Sequence, residues 1–221
     1  MTIRHHLTAE ILLSYAAGNL AEGCSLAVAT HLALCPDCRA REVQFSAIGG
    51  EALEDAVPAE LSDGALAACF ALIDLDEVDL NGEAQQPLPP VIAGTPTLPE
   101  PLRGYVGGDA DSVRWSSVGG GIRQCLIKVS GEAKARLLYI PAGDKVPQHG
   151  HRGLELTLVL SGSFADGAMQ FHRGDIEVAD EQVNHTPTAG PGEPCICLAV
   201  TDAPIVFKSL LPRLVQRFVK I

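Results

Sequence analysis

One histidine and two cysteines stand at metal-ligand spacing in the first third of the chain. His31, Cys35 and Cys38 form the pattern H-x3-C-x2-C. Hydrophobic periodicity predicts a helix over residues 21–34 and a new helix opening at Pro36, so the three side chains should meet where the helices join. Imidazole and thiolate bind zinc tetrahedrally, and two of each make a closed structural site. The spacing therefore predicts a zinc site, against the alternative of two core thiols and a surface histidine.

The fourth ligand of this site should come from two histidines near the start of the chain. His6 lies 25 residues before His31, a separation that two antiparallel helices can span, and its neighbour His5 is the alternative. The residues themselves leave open which of the two binds. Three further thiols are predicted to be core residues: Cys24, Cys69 and Cys125.

A second cluster of potential metal ligands lies in the C-terminal half. Residues 143–162 contain the pattern G-x5-H-x-H-x3-E-x6-G, which places His149 and His151 on one face of an extended segment and Glu155 at the start of the next strand. His185 follows a later turn and offers a third imidazole. Three imidazoles and a carboxylate suit zinc or another divalent transition metal. The alternative is a set of hydrogen-bonded interior or surface groups.

Two further cysteines raise the question of redox chemistry. Cys195 and Cys197 alternate on a predicted strand, so both thiols should face the same side, with Cα atoms about 6.6–6.8 Å apart. That separation is at the edge of disulfide reach, so a bridge would be strained and readily reduced. The pair is therefore either a redox pair or two buried core thiols.

Composition divides the chain into three segments, and the elements that must position these residues lie in the first and the third. Residues 1–80 show helical periodicity, with further helices expected from Pro36 to about Gly50 and over Asp63–Asp76. Residues 81–101 contain six prolines and are predicted to form a semi-rigid linker. Residues 102–221 are predicted to form a β domain.

The β segment alternates short apolar runs with turn residues, which is typical of a sandwich or barrel. Six strands are predicted: Ile122–Val129, Arg136–Ile140, Glu155–Leu160, Asp175–Val178, Cys195–Val200 and Ile205–Lys208. The tail over residues 210–221 fits either a strand or a short amphipathic helix. The expected fold class is therefore α+β with two domains, a small zinc-binding helical bundle followed by an all-β domain.

The charge distribution is uneven and bears on the partners of the chain. The formal net charge is −11, and residues 1–80 hold three basic against thirteen acidic side chains. Residues 102–221 hold thirteen basic against twelve acidic side chains. Nucleic-acid binding needs a basic face, so direct contact with DNA or RNA is not expected. The acidic first segment instead suits a basic protein partner.

Composition also excludes several other classes of protein. Seven cysteines without a recognisable export signal predict reduced thiols and a cytoplasmic location. No apolar run approaches the roughly 18–20 residues that span a bilayer, so no membrane association is expected. The sequence shows no triad for nucleophilic catalysis and no phosphate-binding glycine loop, and no catalytic residue is predicted.

The first motif resembles the zinc-binding anti-sigma domain over residues 1–80. His6, His31, Cys35 and Cys38 match its spacing, H-x24-H-x3-C-x2-C, and the resemblance implies that His6 is the fourth zinc ligand. In that family the motif spans three helices and precedes a fourth, mobile helix. The family inhibits extracytoplasmic-function sigma factors by wedging between their two polymerase-binding domains.

The second motif resembles a cupin, a double-stranded β-helix barrel, over about residues 102–210. The first cupin motif matches in full, whereas residues 180–183 replace the usual proline-glycine turn before His185. The order of the two parts resembles the ChrR family of anti-sigma factors. The resemblance implies a group IV (extracytoplasmic-function) sigma factor as partner, a cupin needed for the response to singlet oxygen and related oxidants, and a second zinc at His149, His151, Glu155 and His185.

Two other functions remain compatible with the sequence. Cupins with three histidines and one glutamate include iron enzymes, so a dioxygenase-like oxidoreductase with a regulatory zinc domain is the main alternative. A cupin that senses a small molecule is another. Zinc in the β domain would disfavour the oxidoreductase, because zinc has no redox chemistry.

Overall fold

A computed structural model describes residues 2–80 and 96–207 of the chain. Most of the predicted linker, residues 81–95, lies outside the described residues, as does the predicted element over residues 210–221. Contacts divide the chain into two compact units, one of residues 1–49 with 96–221 and one of residues 50–95. The division at residues 80 and 102 stays a prediction from composition.

Five helices occur in the described residues: α1 (Ala9–Ala16), α2 (Glu22–Leu34), α3 (Pro36–Glu54), α4 (Ala65–Leu80) and α5 (Glu100–Val106). The junction of α2 and α3 falls where the sequence predicts it. Thr8 caps α1, since its side-chain oxygen accepts a hydrogen bond from the Ile11 backbone N–H. None of these helices is both long and apolar enough to cross a bilayer.

Helix α5 was not predicted, because proline-rich residues suggested an extended linker at this place. Pro99 is its N-cap, Pro101 stands in its first turn, and Gly107 ends it in the left-handed conformation. Leu98 and Leu102 are fully buried, which anchors this segment in the core of its unit.

Twelve strands occur in the described residues: β1 (Ser116–Gly119), β2 (Ile122–Ile127), β3 (Lys134–Ile140), β4 (His149–Gly150), β5 (Glu155–Ser161), β6 (Ser163–Asp166), β7 (Met169–His172), β8 (Ile176–Ala179), β9 (Asn184–His185), β10 (Thr188–Ala189), β11 (Cys195–Thr201) and β12 (Val206–Phe207). They form a six-stranded sheet in the order β1-β2-β3-β11-β5-β8 and two three-stranded sheets, β10-β6-β7 and β12-β4-β9. All six predicted strands are present. The helical first region and the sheet-rich second region confirm the α+β class, although the described strands do not form one closed barrel.

Two neighbouring interior strands of the large sheet are buried on both faces. β5 and β11 pair antiparallel, and nearly all of their residues are buried. Helix α2 covers one face, where a Cβ on Gly23 would already lie 3.3 Å from Ala133 and Val200. The other face holds a second core cluster that includes Phe164, Phe171 and both Cys195 and Cys197. The core prediction for Cys69 was wrong, because Cys69 is exposed on α4, whereas Cys125 is half-buried and packs against the core.

The segment before α1 is fastened to the turn before β8. Asp175 is 1% exposed, and its Oδ1 accepts hydrogen bonds from the backbone N–H groups of Arg4 (2.6 Å) and His5 (3.0 Å). Its Oδ2 accepts a third from the His172 N–H at 2.9 Å. The adjacent Gly174 has φ +90°, and a Cβ there would lie 2.7 Å from Ile3. These contacts fix the position of His6, the next residue along the segment.

The Asp175→Asn variant is expected to lower the free energy of unfolding by about 2–3 kcal/mol, because an amide cannot accept from all three N–H groups. Burial opposes ionisation of Asp175, but the backbone donors outweigh it and hold its pKa below the usual 3.8. The contribution is therefore complete above pH 3.8 and is lost as the pH falls through the lowered pKa. Urea unfolding at pH 7 and pH 3 measures both effects. Asp180→Asn, at an exposed turn, is the matched control, and equal stability of the two variants would contradict the prediction.

Candidate metal centres

The first predicted cluster assembles at the junction of α2 and α3. His31 lies in the last turn of α2, Cys35 follows that helix, Cys38 lies in the first turn of α3, and His6 comes from the fastened N-terminal segment. One ligand atom from each of the four lies within 4.8 Å of the others. The His6 Nδ1 atom is 3.3 Å from Cys35 Sγ and 3.5 Å from Cys38 Sγ.

The chemistry of this cluster fits a tetrahedral zinc ion. Zn–S and Zn–N bonds of about 2.3 and 2.05 Å place the two ligand atoms about 3.6 Å apart, close to both of these N–S distances. Among the described residues, neither ring nitrogen of the fully buried His31 has a hydrogen-bond partner of normal geometry. Burial lowers the pKa of His31 to about 4, so its imidazole is neutral, as a ligand must be. Burial raises the pKa of Cys38 to about 11, so its thiolate needs a cation beside it.

The structure distinguishes between the two candidate histidines. His5 points away from the cluster and packs on Phe171, with 4.3 Å between ring centroids. His6 is the histidine that joins His31 and the two thiols. Cys24 is buried elsewhere on α2, as expected of a core thiol.

The second predicted cluster assembles where β4, β5 and β9 meet. His149 and His185 lie opposite each other on β4 and β9, His151 follows β4, and Glu155 begins β5. All four side chains are buried, and one ligand atom from each lies within 4.8 Å of the others. The His185 Nε2 atom is 3.0 Å from His151 Nε2 and 3.1 Å from His149 Nε2. Glu155 Oε2 is 2.8 Å from His151 Nδ1.

Hydrogen bonds around this cluster direct nitrogen lone pairs toward its centre. The Pro147 carbonyl, 2.8 Å from His149 Nδ1, can only accept, so this nitrogen carries the proton. Asp166 Oδ2 is 3.0 Å from His185 Nδ1 and accepts from it in the same way. With Nδ1 of each ring donating outward, the two Nε2 atoms face each other at 3.1 Å and are the atoms available to bind a metal. Both outer contacts are the kind that orient metal-binding histidines.

Two acidic residues that the sequence did not single out complete the surroundings of His185. Asp166 and Glu177 lie within 4.8 Å of it, measured between possible ligand atoms. Burial, together with the charges of Asp166 and Glu155, raises the pKa of Glu177 to about 8, so it holds a proton at neutral pH. The register Thr157↔Glu177 is what brings Glu177 to this site, and that register is not evident from the sequence.

The Asp166→Asn variant is expected to bind zinc at the second cluster about 10–100-fold more weakly, because it loses the carboxylate that orients His185. Competition with a chromogenic zinc chelator measures the affinity, with the first cluster as an internal reference. Asp111→Asn, at an exposed position, controls for the change in net charge. Unchanged affinity in Asp166→Asn would show that this hydrogen bond does not support the site.

The cysteine pair of the β domain is buried on β11. Cys195 and Cys197 are free thiols, 0% and 1% exposed. The contact with Cys195 and burial raise the pKa of Cys197 well above its usual value, so it is protonated at neutral pH. Cys197 also lines a cavity of about 580 Å³ that reaches His149 and Glu155. Cys197 thus shares a cavity with two residues of the second cluster, which the sequence did not predict.

The fold and the cluster of three histidines and one glutamate define a cupin-like protein with a preceding helical region. A family model for the ChrR cupin-like domain matches residues 104–204. Anti-sigma-E factor ChrR of Cereibacter sphaeroides is 52% identical over 221 residues, 100% of both chains. The crystal structure of Rhodobacter sphaeroides SigE in complex with the anti-sigma ChrR contains a chain 48% identical, with a TM-score of 0.78, covering 90% of this chain and 99% of that one. This chain belongs to the ChrR family.

Proposed function

We propose that this chain is an anti-sigma factor that binds and inhibits an extracytoplasmic-function (group IV) sigma factor through residues 1–80. The observation that carries the proposal is the 52% identity, over the full length of both chains, to a protein named an anti-sigma-E factor. The similar chain in the solved complex is bound to SigE. The role proposed is regulatory and not catalytic, with action in the cytoplasm.

Exposed apolar side chains on the later helices support a protein partner. Among the side chains of α3 and α4 that the structure describes, seven apolar ones are at least half-exposed: Val43, Ile48, Leu53, Leu66, Phe70, Leu72 and Ile73. Apolar side chains left in water at this density mark surfaces that bind another protein. Residues 1–80 hold thirteen acidic and three basic side chains, so this segment should attract a basic partner electrostatically.

We propose distinct roles for the two clusters. Zinc at His6, His31, Cys35 and Cys38 holds the N-terminal segment, α2 and α3 together, as a closed structural site does. Zinc or another divalent metal at His149, His151, Glu155 and His185 supports the cupin, which is needed for release of the sigma factor under oxidative stress and not for binding it.

The candidate redox pair for that release is Cys195 and Cys197. Reaction of the two thiols with singlet oxygen would form one disulfide and one hydrogen peroxide, so that two electrons and two protons pass to the oxygen. The register shift between Ile196 and Cys197 in the pairing of β11 with β5 gives this part of the strand an irregular geometry. A disulfide there would change a core that contains both thiols.

Transcription from a SigE-dependent promoter with purified polymerase and SigE tests the proposal. Added full-length chain is expected to stop transcription at near-stoichiometric amounts, and undiminished transcription at a tenfold excess would contradict it.

The cavity beside His149 and Glu155 favours the second candidate, a cupin oxidoreductase. That function predicts iron in the β domain and dioxygen uptake, whereas the anti-sigma proposal predicts zinc or a comparable divalent metal and no uptake.

A further inference from the structure

Arg136 is a charged side chain buried inside the β domain. It lies on β3 and is 3% exposed. Within residues 2–80 and 96–207 it makes neither a hydrogen bond nor an ion pair, and its Nε atom is fully buried. Burying a guanidinium without a counter-charge is costly, because the lost hydration is not replaced. Arg136 is therefore a buried cation that has no paired anion among the described residues.

Glu155 is the carboxylate with an electrostatic effect on Arg136, but it does not pair with the guanidinium. Its Oε2 faces His151 at 2.8 Å, and its Oε1 accepts a hydrogen bond from Thr157 at 3.0 Å. Residues 208–221 contain neither aspartate nor glutamate, and residues 81–95 contain one acidic residue, Glu83. With all carboxylates of the described residues accounted for, we look for the binding partner of Arg136 outside the chain.

Arg136 faces the cavity of about 580 Å³ that also reaches His149 and Glu155. This volume falls within the roughly 300–1,000 Å³ of small-molecule sites. Most of the cavity wall is apolar, including Val118, Ile122, Leu138, Ile140, Val146 and Phe164. An apolar wall with one buried cation is the arrangement that binds a molecule with an apolar body and an anionic head.

We propose that this cavity binds a small amphiphilic carboxylate, with its carboxylate paired to Arg136 and its apolar body against the cavity wall. A planar guanidinium matches a carboxylate through two parallel hydrogen bonds. The lining also contains Lys145 and Asp144, whose opposite charges offset each other, so the buried guanidinium is left to balance one negative charge. A monoanion therefore fits better than doubly charged phosphate. The proposal goes beyond the anti-sigma function, since it gives the cupin an organic ligand.

Calorimetric titration of the full-length, zinc-loaded chain with octanoate, 1-octanol and inorganic phosphate tests this ligand class. Octanoate is expected to bind at least about 30-fold more tightly than 1-octanol, because the alcohol leaves Arg136 unpaired. Phosphate is expected to show no binding. Equal affinity for octanoate and 1-octanol, absence of octanoate binding at millimolar concentration, or tighter binding of phosphate would each overturn the proposal.

The Arg136→Met variant removes the positive charge of Arg136 while keeping an unbranched side chain at that position of the cavity. It is expected to bind octanoate at least about 30-fold more weakly while 1-octanol affinity stays within about twofold. Without ligand, its melting temperature should exceed that of the native chain, because the unpaired buried charge is gone. Lys134→Met, an exposed position on the same strand, is the matched control and should bind octanoate as the native chain does.

Native octanoate affinity in Arg136→Met would overturn the role of Arg136. Should that variant fail to fold, Arg136→Lys keeps the charge without the planar fork and is expected to weaken octanoate binding while phosphate still does not bind. An unchanged octanoate affinity in Arg136→Lys would then overturn the bidentate contact. Sigma-factor binding takes no part in these titrations, so their outcome is independent of the anti-sigma proposal.

Discussion

The Cys38→Ser variant is expected to lose one zinc ion per chain and to inhibit SigE at least about 100-fold less effectively. Cys38 is fully buried, and a serine hydroxyl is a poor ligand for zinc compared with a thiolate. Structural zinc contributes on the order of 10–16 kcal/mol in small domains, so its loss should release the N-terminal segment and the start of α3. Metal analysis by mass spectrometry and a transcription assay measure the two effects.

The Cys125→Ser variant is the matched control for this experiment. Cys125 is a half-buried thiol on β2 and takes no part in either cluster. This variant should keep both metals and native inhibition. A Cys38→Ser variant that retains two metals per chain, or that loses one and still inhibits SigE fully, would contradict a structural role for zinc in the anti-sigma region.

The His149→Ala variant is expected to bind SigE within about threefold of the native affinity and to lose most of the induction by singlet oxygen. Removing one of three imidazoles leaves an incomplete site, so the metal of the β domain should be lost. His149 lies on β4, in a different part of the chain from the helices proposed to bind the sigma factor. A reporter under a SigE-dependent promoter, illuminated with a photosensitiser, measures induction.

The His172→Ala variant controls for the loss of a histidine from the β domain. His172 is partly exposed, lies outside the cluster, and contributes its backbone N–H to Asp175 whatever its side chain is. Its induction should equal that of the native chain. Full induction in His149→Ala would show that the metal cluster of the cupin is not needed for release.

Much of the fold followed from local sequence signals. β5 and β11 could be predicted as strands because each is a short run rich in branched and aliphatic residues between turn residues, and both are interior strands of the large sheet. Gly162, the last glycine of the cupin pattern, has φ +68°, and a Cβ there would clash with the Pro194 carbonyl. Both metal-type clusters could be predicted because metal chemistry restricts ligand type and spacing.

The features that were missed depend on packing between distant segments. Asp166, Glu177 and Arg136 reach the second cluster and its cavity through strand register, which a single sequence does not specify. The choice between His5 and His6 depends on Asp175, which lies 170 residues later and holds the backbone of His5. Helix α5 was missed because proline signals both a linker and the first turn of a helix.

Side-by-side titration of SigE with the native chain, Cys38→Ser and His149→Ala tests the central claim most directly. The account predicts that Cys38→Ser binds at least about 100-fold more weakly and that His149→Ala stays within about threefold of the native chain. A similar loss of affinity in both variants would contradict the separation of sigma binding from sensing. Native affinity in Cys38→Ser would contradict the claim that the zinc cluster supports the sigma-binding region.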